Sequence, residues 1–146
     1  MKLKRWTSLS LAVTLSALVV YQSPLSAQSQ LEAPLMTVPV AQAGVTIRIV
    51  NQTADAITYE ALGDTQPRTL TATSNVTLQS LNVPTTLTFF YEDIPKDRQT
   101  GTGLLQATLT MDDASGILTM IIQPTNDLNA DVSNLTVEAN GSVFVF

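Results

Sequence analysis

Apolar and polar residues alternate along nearly the whole chain from Val45 onward, and a period of two predicts β-strands. In "VTIRIV", Val45, Ile47 and Ile49 fall on one face, with Thr46 and Arg48 on the other. A turn over Asn51–Asp55 leads to "AITYEAL", where Ile57, Tyr59 and Ala61 alternate until Gly63-Asp64 ends the run. Shorter strands are expected near Arg68–Thr71 and Val76–Leu78. "TTLTFFYE" then sets Leu87, Phe89 and Tyr91 on one face. Phe90 points the other way, which suits a contact residue or the second face of a central strand. After a loop over Asp93–Gly103, "LLQATLTM" alternates Leu105, Ala107, Leu109 and Met111 against Gln106, Thr108 and Thr110. "DDASG" turns the chain into "ILTMIIQ", and a second long loop, Pro124–Asp131, precedes the final strands.

Those final strands carry the strongest turn signal, Asn140-Gly141 between two alternating runs. A two-residue turn there sets Val137 opposite Phe144 and Leu135 opposite Phe146, with all four expected to face the core. In total the pattern predicts about seven to nine short strands and no helix after the N-terminal segment. The expected fold class is all-β: an antiparallel, immunoglobulin-like β-sandwich over residues 45–146.

The first 44 residues follow a different pattern. Lys2, Lys4 and Arg5 form a basic head, "SLSLAVTLSALVV" is an apolar run, and Leu25-Ser-Ala27 supplies small residues before Gln28. This is the layout of a secretory signal peptide over residues 1–27. Its apolar run is shorter than the ~20 residues of a spanning helix, so stable membrane insertion of the mature chain is not expected. Ala41-Gln-Ala43 offers a second small-x-small site further on. Residues 28–44, with two prolines and no clear period, read as a flexible leader. Within it Met36, Val38 and Val40 alternate, as a strand donated to a neighbouring subunit would. The expected address is secreted or periplasmic.

"VTIRIVNQTADAITYEALGDTQPRTL" together with "TTLTFFYED" resembles small exported proteins of uncharacterised function from cyanobacteria. The resemblance covers the central half of the mature chain and rests on strand and turn pattern. It implies export and a β-sandwich, and it brings no catalytic motif.

Composition narrows the chemistry. With the signal removed, four basic residues (Arg48, Arg68, Lys96, Arg98) remain against all twelve acids, a net charge of −8. Nucleic acid and anionic lipid both call for a basic patch, so neither is an expected partner. The chain has no histidine and no cysteine, which excludes Ser-His-Asp and cysteine nucleophiles, His-based zinc and blue copper. A carboxylate pair among Glu60, Glu92, Asp93 and Asp97 is the remaining hydrolytic arrangement. Nothing in the pattern marks these acids as buried. The expectation is therefore a protein that is not an enzyme and needs no cofactor.

One segment has the spacing of a calcium loop. In "DLNADVSNLTVE", Asp127, Asn129 and Asp131 take the first, third and fifth places and Glu138 the twelfth. The sixth place, where such loops need glycine, holds the β-branched Val132. If Val132–Glu138 is extended, Glu138 lies about 23 Å from Asp131 and cannot share its ion. A reduced calcium site of Asp127, Asn129 and Asp131, completed by Asp93 and Asp97 from the loop at the same end, stays open. The competing reading is that these Asx residues cap turns in solvent. Tripeptides of the glycan-acceptor type occur at Asn51, Asn75, Asn134 and Asn140.

The function expected on these grounds is a non-enzymatic exported β-sandwich acting as a structural or binding module, through an unknown protein or surface partner. Its binding end should carry the two long loops. The alternative is an assembly subunit that polymerises by donating its leader as a strand.

Overall fold

The computed structural model describes residues 33–41, 44–93 and 103–146. The segment expected to be a signal peptide (1–27), the rest of the expected leader, Asp97 and most of the first long loop lie outside the described residues. The described chain is all β: β1 Met36–Thr37, β2 Val45–Asn51, β3 Ile57–Ala61, β4 Arg68–Leu70, β5 Asn75–Leu81, β6 Thr85–Tyr91, β7 Leu104–Asp112, β8 Ile117–Thr125, β9 Asn134–Val137 and β10 Ser142–Val145. They form a six-stranded sheet, β1-β10-β9-β6-β3-β4, and a four-stranded sheet, β5-β2-β8-β7.

The two sheets pack face to face around one core, as a sandwich requires. Alternation decides which residues enter it. Ile47 and Ile49 of β2, Phe89 of β6, Met120 and Ile122 of β8 and Leu135 of β9 are fully buried. Tyr59, Phe89 and Tyr91 are core residues. On β7 the inward row is Leu105, Ala107, Leu109 and Met111, as the pattern predicts, but only Leu105 is fully covered.

Three features differ from the sequence expectation. First, β2 and β8 run parallel, Thr46 with Ile117 through Asn51 with Ile122, inside otherwise antiparallel sheets. Alternation sets a strand's face but carries no information on the direction of a partner far along the chain. Second, β8 continues through Pro124, which pairs with Leu105. The last β2 pairing is at Ile122, so the missing Pro124 N–H costs no bond on that side.

Third, the final hairpin is shifted by one residue. Val137 pairs with Val143, Thr136 with Phe144 and Leu135 with Val145. The loop holds three residues, because Gly141 N donates to Glu138 O and Glu138 N to Ser142 O. Only Gly141 adopts a positive φ (85°), whereas a two-residue type I′ turn needs one at Asn140 as well. Asn140 instead accepts Ser142 N at 2.9 Å through its side-chain oxygen. A one-residue slip reverses every side chain, so Val143 is buried while Phe144 and Phe146 lie on the outer face. Their rings stack there with centroids 6.2 Å apart.

The described part of the leader is also not free. Met36 pairs with Val143 and Thr37 with Ser142, extending the six-stranded sheet by β1. Val38 N donates to Gly141 O at 2.8 Å, and the Val38 side chain is buried in the core. The sandwich thus begins before Val45, because the apolar alternation Met36–Val38 finds an open edge at β10.

Candidate functional site

The two loops that strand-by-strand reversal places together do share one end of the sandwich. β6 leaves at Tyr91, β7 enters at Leu104, β8 leaves at Thr125 and β9 enters at Asn134. The segment Asp131–Ser133 laces the two sheets there. Asp131 Oδ1 accepts Leu105 N at 2.9 Å, Val132 N donates to Leu105 O at 2.8 Å, and Ser133 O accepts Phe89 N at 2.9 Å. Ser133 N also reaches Phe146 O at 2.6 Å. Between these strands lies a cleft of about 250 Å³, lined by Phe89–Tyr91, Gly103, Leu105 and Asp131–Ser133. That is below the ~300–1,000 Å³ of ordinary small-molecule pockets. Phe90 stands at its rim with 54% of its surface exposed.

The five calcium-loop candidates are placed as follows. Asp127 Oδ1 accepts both Asn129 N at 2.9 Å and Asn129 Nδ2 at 3.2 Å, and Asp127 N donates to Thr125 Oγ1. The first two ligands of the supposed loop thus bond to each other. Asp131 spends one carboxylate oxygen on the backbone of β7. Asp93 is exposed, and Asp97 lies outside the described residues. Asn134–Val137 is strand β9, which carries Glu138 to the opposite end of the sandwich. No group of three or more acids close enough to hold a metal occurs among the described residues. Asp127–Asp131 is built as a turn in which Asp127 caps the Asn129 amide and Asp131 ties the turn to β7.

The acids weighed for hydrolysis are dispersed. Glu60 faces outward on β3 opposite Thr88, and Glu92 accepts the Thr69 hydroxyl at 3.0 Å. Among the described residues, titration behaviour is perturbed at two places. Burial pushes the Tyr91 phenol up, with the Thr53 side chain pulling the other way. Exposed Asp112 is held below the usual carboxylate range by Ser115 Oγ, Ala114 N and Ser115 N, all within 3.4 Å.

Sequence pattern did not reveal two features. One is the outer face of the six-stranded sheet, where Leu35, Phe144 and Phe146 sit beside a threonine field including Thr86 and Thr136, whose hydroxyls bond at 3.1 Å. The correct hairpin register would have exposed it. The other is Asn51, which heads an Asn-x-Thr tripeptide and is fully buried. Its Asn-x-Thr turn geometry, with Oδ1 accepting Thr53 N at 2.9 Å, was a readable signal. Comparison of the chain with protein-family models, with curated proteins and with solved structures found no match.

Proposed function

We propose that the protein is an exported, non-enzymatic β-sandwich that works as a binding or structural module through the Asp131 end. The observation carrying this reading is Phe90, a large apolar side chain exposed on a rigid strand at the rim of the lacing segment. Asp131 lines the cleft beside it, and the two loops carry Asp93, Asp97, Asp127 and Asp131 against Lys96 and Arg98, an acidic balance. An aromatic anchor with an acidic surround suits a basic patch on another protein. The N-terminal signal pattern and the resemblance to exported cyanobacterial proteins support the address. The lack of histidine and cysteine supports a role without catalysis.

Titrating a lysine-rich peptide into the isotopically labelled full chain tests the reading. Amide shifts should concentrate at Phe90–Asp93, Leu104–Leu105 and Asp127–Ser133, and Phe90→Ala should weaken them. Shifts spread evenly over all exposed acids, unaffected by Phe90→Ala, would overturn it.

A second reading has its own observation. β1 seats Met36–Thr37 against β10 and buries Val38, so the leader fits an edge groove of this fold. Donated to another copy, the same strand would link subunits. Assemblies larger than a dimer that persist after deletion of residues 33–41 would remove this alternative.

A further inference from the structure

The two sheets have four edges: β1 and β4 on the larger, β5 and β7 on the smaller. A sheet edge presents unpaired N–H and C=O groups, and natural sheets blunt it by short length, charge, proline or a bulge. Three edges here are blunted. β1 is two residues long and lies between Pro34 and Pro39. β4 is three residues long and carries exposed Arg68. β5 shifts register against β2 between Val45 and Ile47, and Ser80 adopts a φ of 56°. β7 has none of these devices. It runs nine residues without proline, without charge before Asp112, and in unbroken register with β8.

Leu105 tells which backbone groups of β7 face outward. Its N–H goes to Asp131 and its C=O to Val132, both on the side away from β8. In an antiparallel ladder the outward residues recur at every second position. Ala107, Leu109 and Met111 therefore turn their N–H and C=O to the open edge, and these groups have no partner among the described residues. Their side chains face the core yet are only partly buried. Asp131–Val132 closes the edge on one side of this stretch, and the turn from Asp112 to Gly116 ends it on the other.

We propose that β7 pairs antiparallel with β7 of a second copy of this chain, about a two-fold axis at Leu109. The register sets Leu109 against the partner's Leu109 and Ala107 against the partner's Met111. It uses every open backbone group between Leu105 and Asp112 and draws on no other. On the outer face Thr108 meets the partner's Thr110, and Gln106 meets the partner's Asp112, so no like charges oppose. An axis at Thr108 would compete with Asp131 and Val132 for Leu105. An axis at Thr110 would leave Ala107 facing the partner's Asp113, beyond the strand. An isologous contact of this kind closes on itself and does not propagate. It continues the four-stranded sheet across the axis and covers the half-buried row. The inference does not depend on the function proposed above.

Because the chain has no cysteine, engineered thiols report the register directly. Residues 108 and 110 of the two copies form a non-hydrogen-bonded pair, whose Cα separation of about 4.5 Å accepts a disulfide. Full-length T108C mixed with full-length T110C should cross-link on oxidation, while either variant alone should not. By sedimentation, the unmodified full chain should have twice the monomer mass. T108K/T110K, which sets lysine opposite lysine at two exposed positions, should be monomeric with an unchanged circular dichroism spectrum. A monomeric unmodified chain would overturn the proposal. So would a dimer that T108K/T110K leaves intact, or equal cross-linking by T108C alone, which would place the contact or its register elsewhere.

Discussion

Asn51 Nδ2 donates to the carbonyl of Leu70 at 3.2 Å, joining the last residue of β2 to the last residue of β4 and so one sheet to the other. The same amide reaches Asp55 O at 2.9 Å and Thr71 O at 3.0 Å. Its two hydrogens thus serve three carbonyls, one of them shared. With Oδ1 on Thr53 N, a fully buried polar side chain satisfies four backbone groups from two segments. Inside a core such a group is stabilising only when fully paired, and this one is.

Asn51→Ala should cost about 3 kcal/mol or more, because it strands buried carbonyls and opens a void. Urea denaturation measures it, with Asn75→Ala on the exposed edge of β5 expected within about 0.5 kcal/mol of the unmodified chain. A loss at Asn51 no larger than that at Asn75 would mean that water replaces the amide.

Thr85 presents the opposite case. Its side chain faces the core beside Val137, and its hydroxyl has no hydrogen-bond partner among the described residues. Thr85→Val keeps the shape and removes a buried unsatisfied oxygen, so it should stabilise the fold by about 1 kcal/mol. A lower thermal midpoint for Thr85→Val would show that the hydroxyl does find a partner.

The docking of the leader rests on Gly141. A Cβ there would collide with the Val38 carbonyl, whereas one at Gly63 meets nothing, and both residues have positive φ near 86°. Alanine at either site bears a backbone cost of about 1–2 kcal/mol. Gly141→Ala should exceed Gly63→Ala and should speed hydrogen exchange at the Leu35 and Val38 amides, which bond to β10 and its turn. Equal costs and unchanged exchange would show that β1 tolerates displacement.

Asp112 gives a pH dependence of known sign. Its carboxyl is more acidic in the folded chain than its ordinary value, so the stabilisation is present above about pH 4. It is lost as pH falls through the lowered folded value. Melts taken between neutral pH and about pH 2 should show a shallower acid limb for Asp112→Asn than for the unmodified chain. The two curves running parallel would remove Asp112 from the acid response.

For the Asp127–Asp131 turn, melts in EDTA and in millimolar calcium should coincide, since Asp127 and Asp131 are committed to backbone amides. An ion at ~1,000 times its dissociation constant would add about 4 kcal/mol and raise the midpoint by several degrees. Such a rise would bring Asp93, Asp127 and Asp131 back as ligands.

Sequence alone determined the strands and their faces. Val45, Ile47 and Ile49, or Leu87, Phe89 and Tyr91, point inward because pleating puts every second side chain on one side, a rule contained within each strand. The common end of the two long loops followed from strand reversal in the same way. Tertiary structure alone decided what depends on partners distant along the chain. The parallel contact of β2 with β8, the seating of β1 on β10 and the burial of Asn51 all arise between segments that no local pattern links. The hairpin at Gly141 stands between these cases. Its existence was local, but its register turned on whether Asn140 would take a positive φ or cap Ser142. That single choice moved Phe144 and Phe146 from the core to the surface.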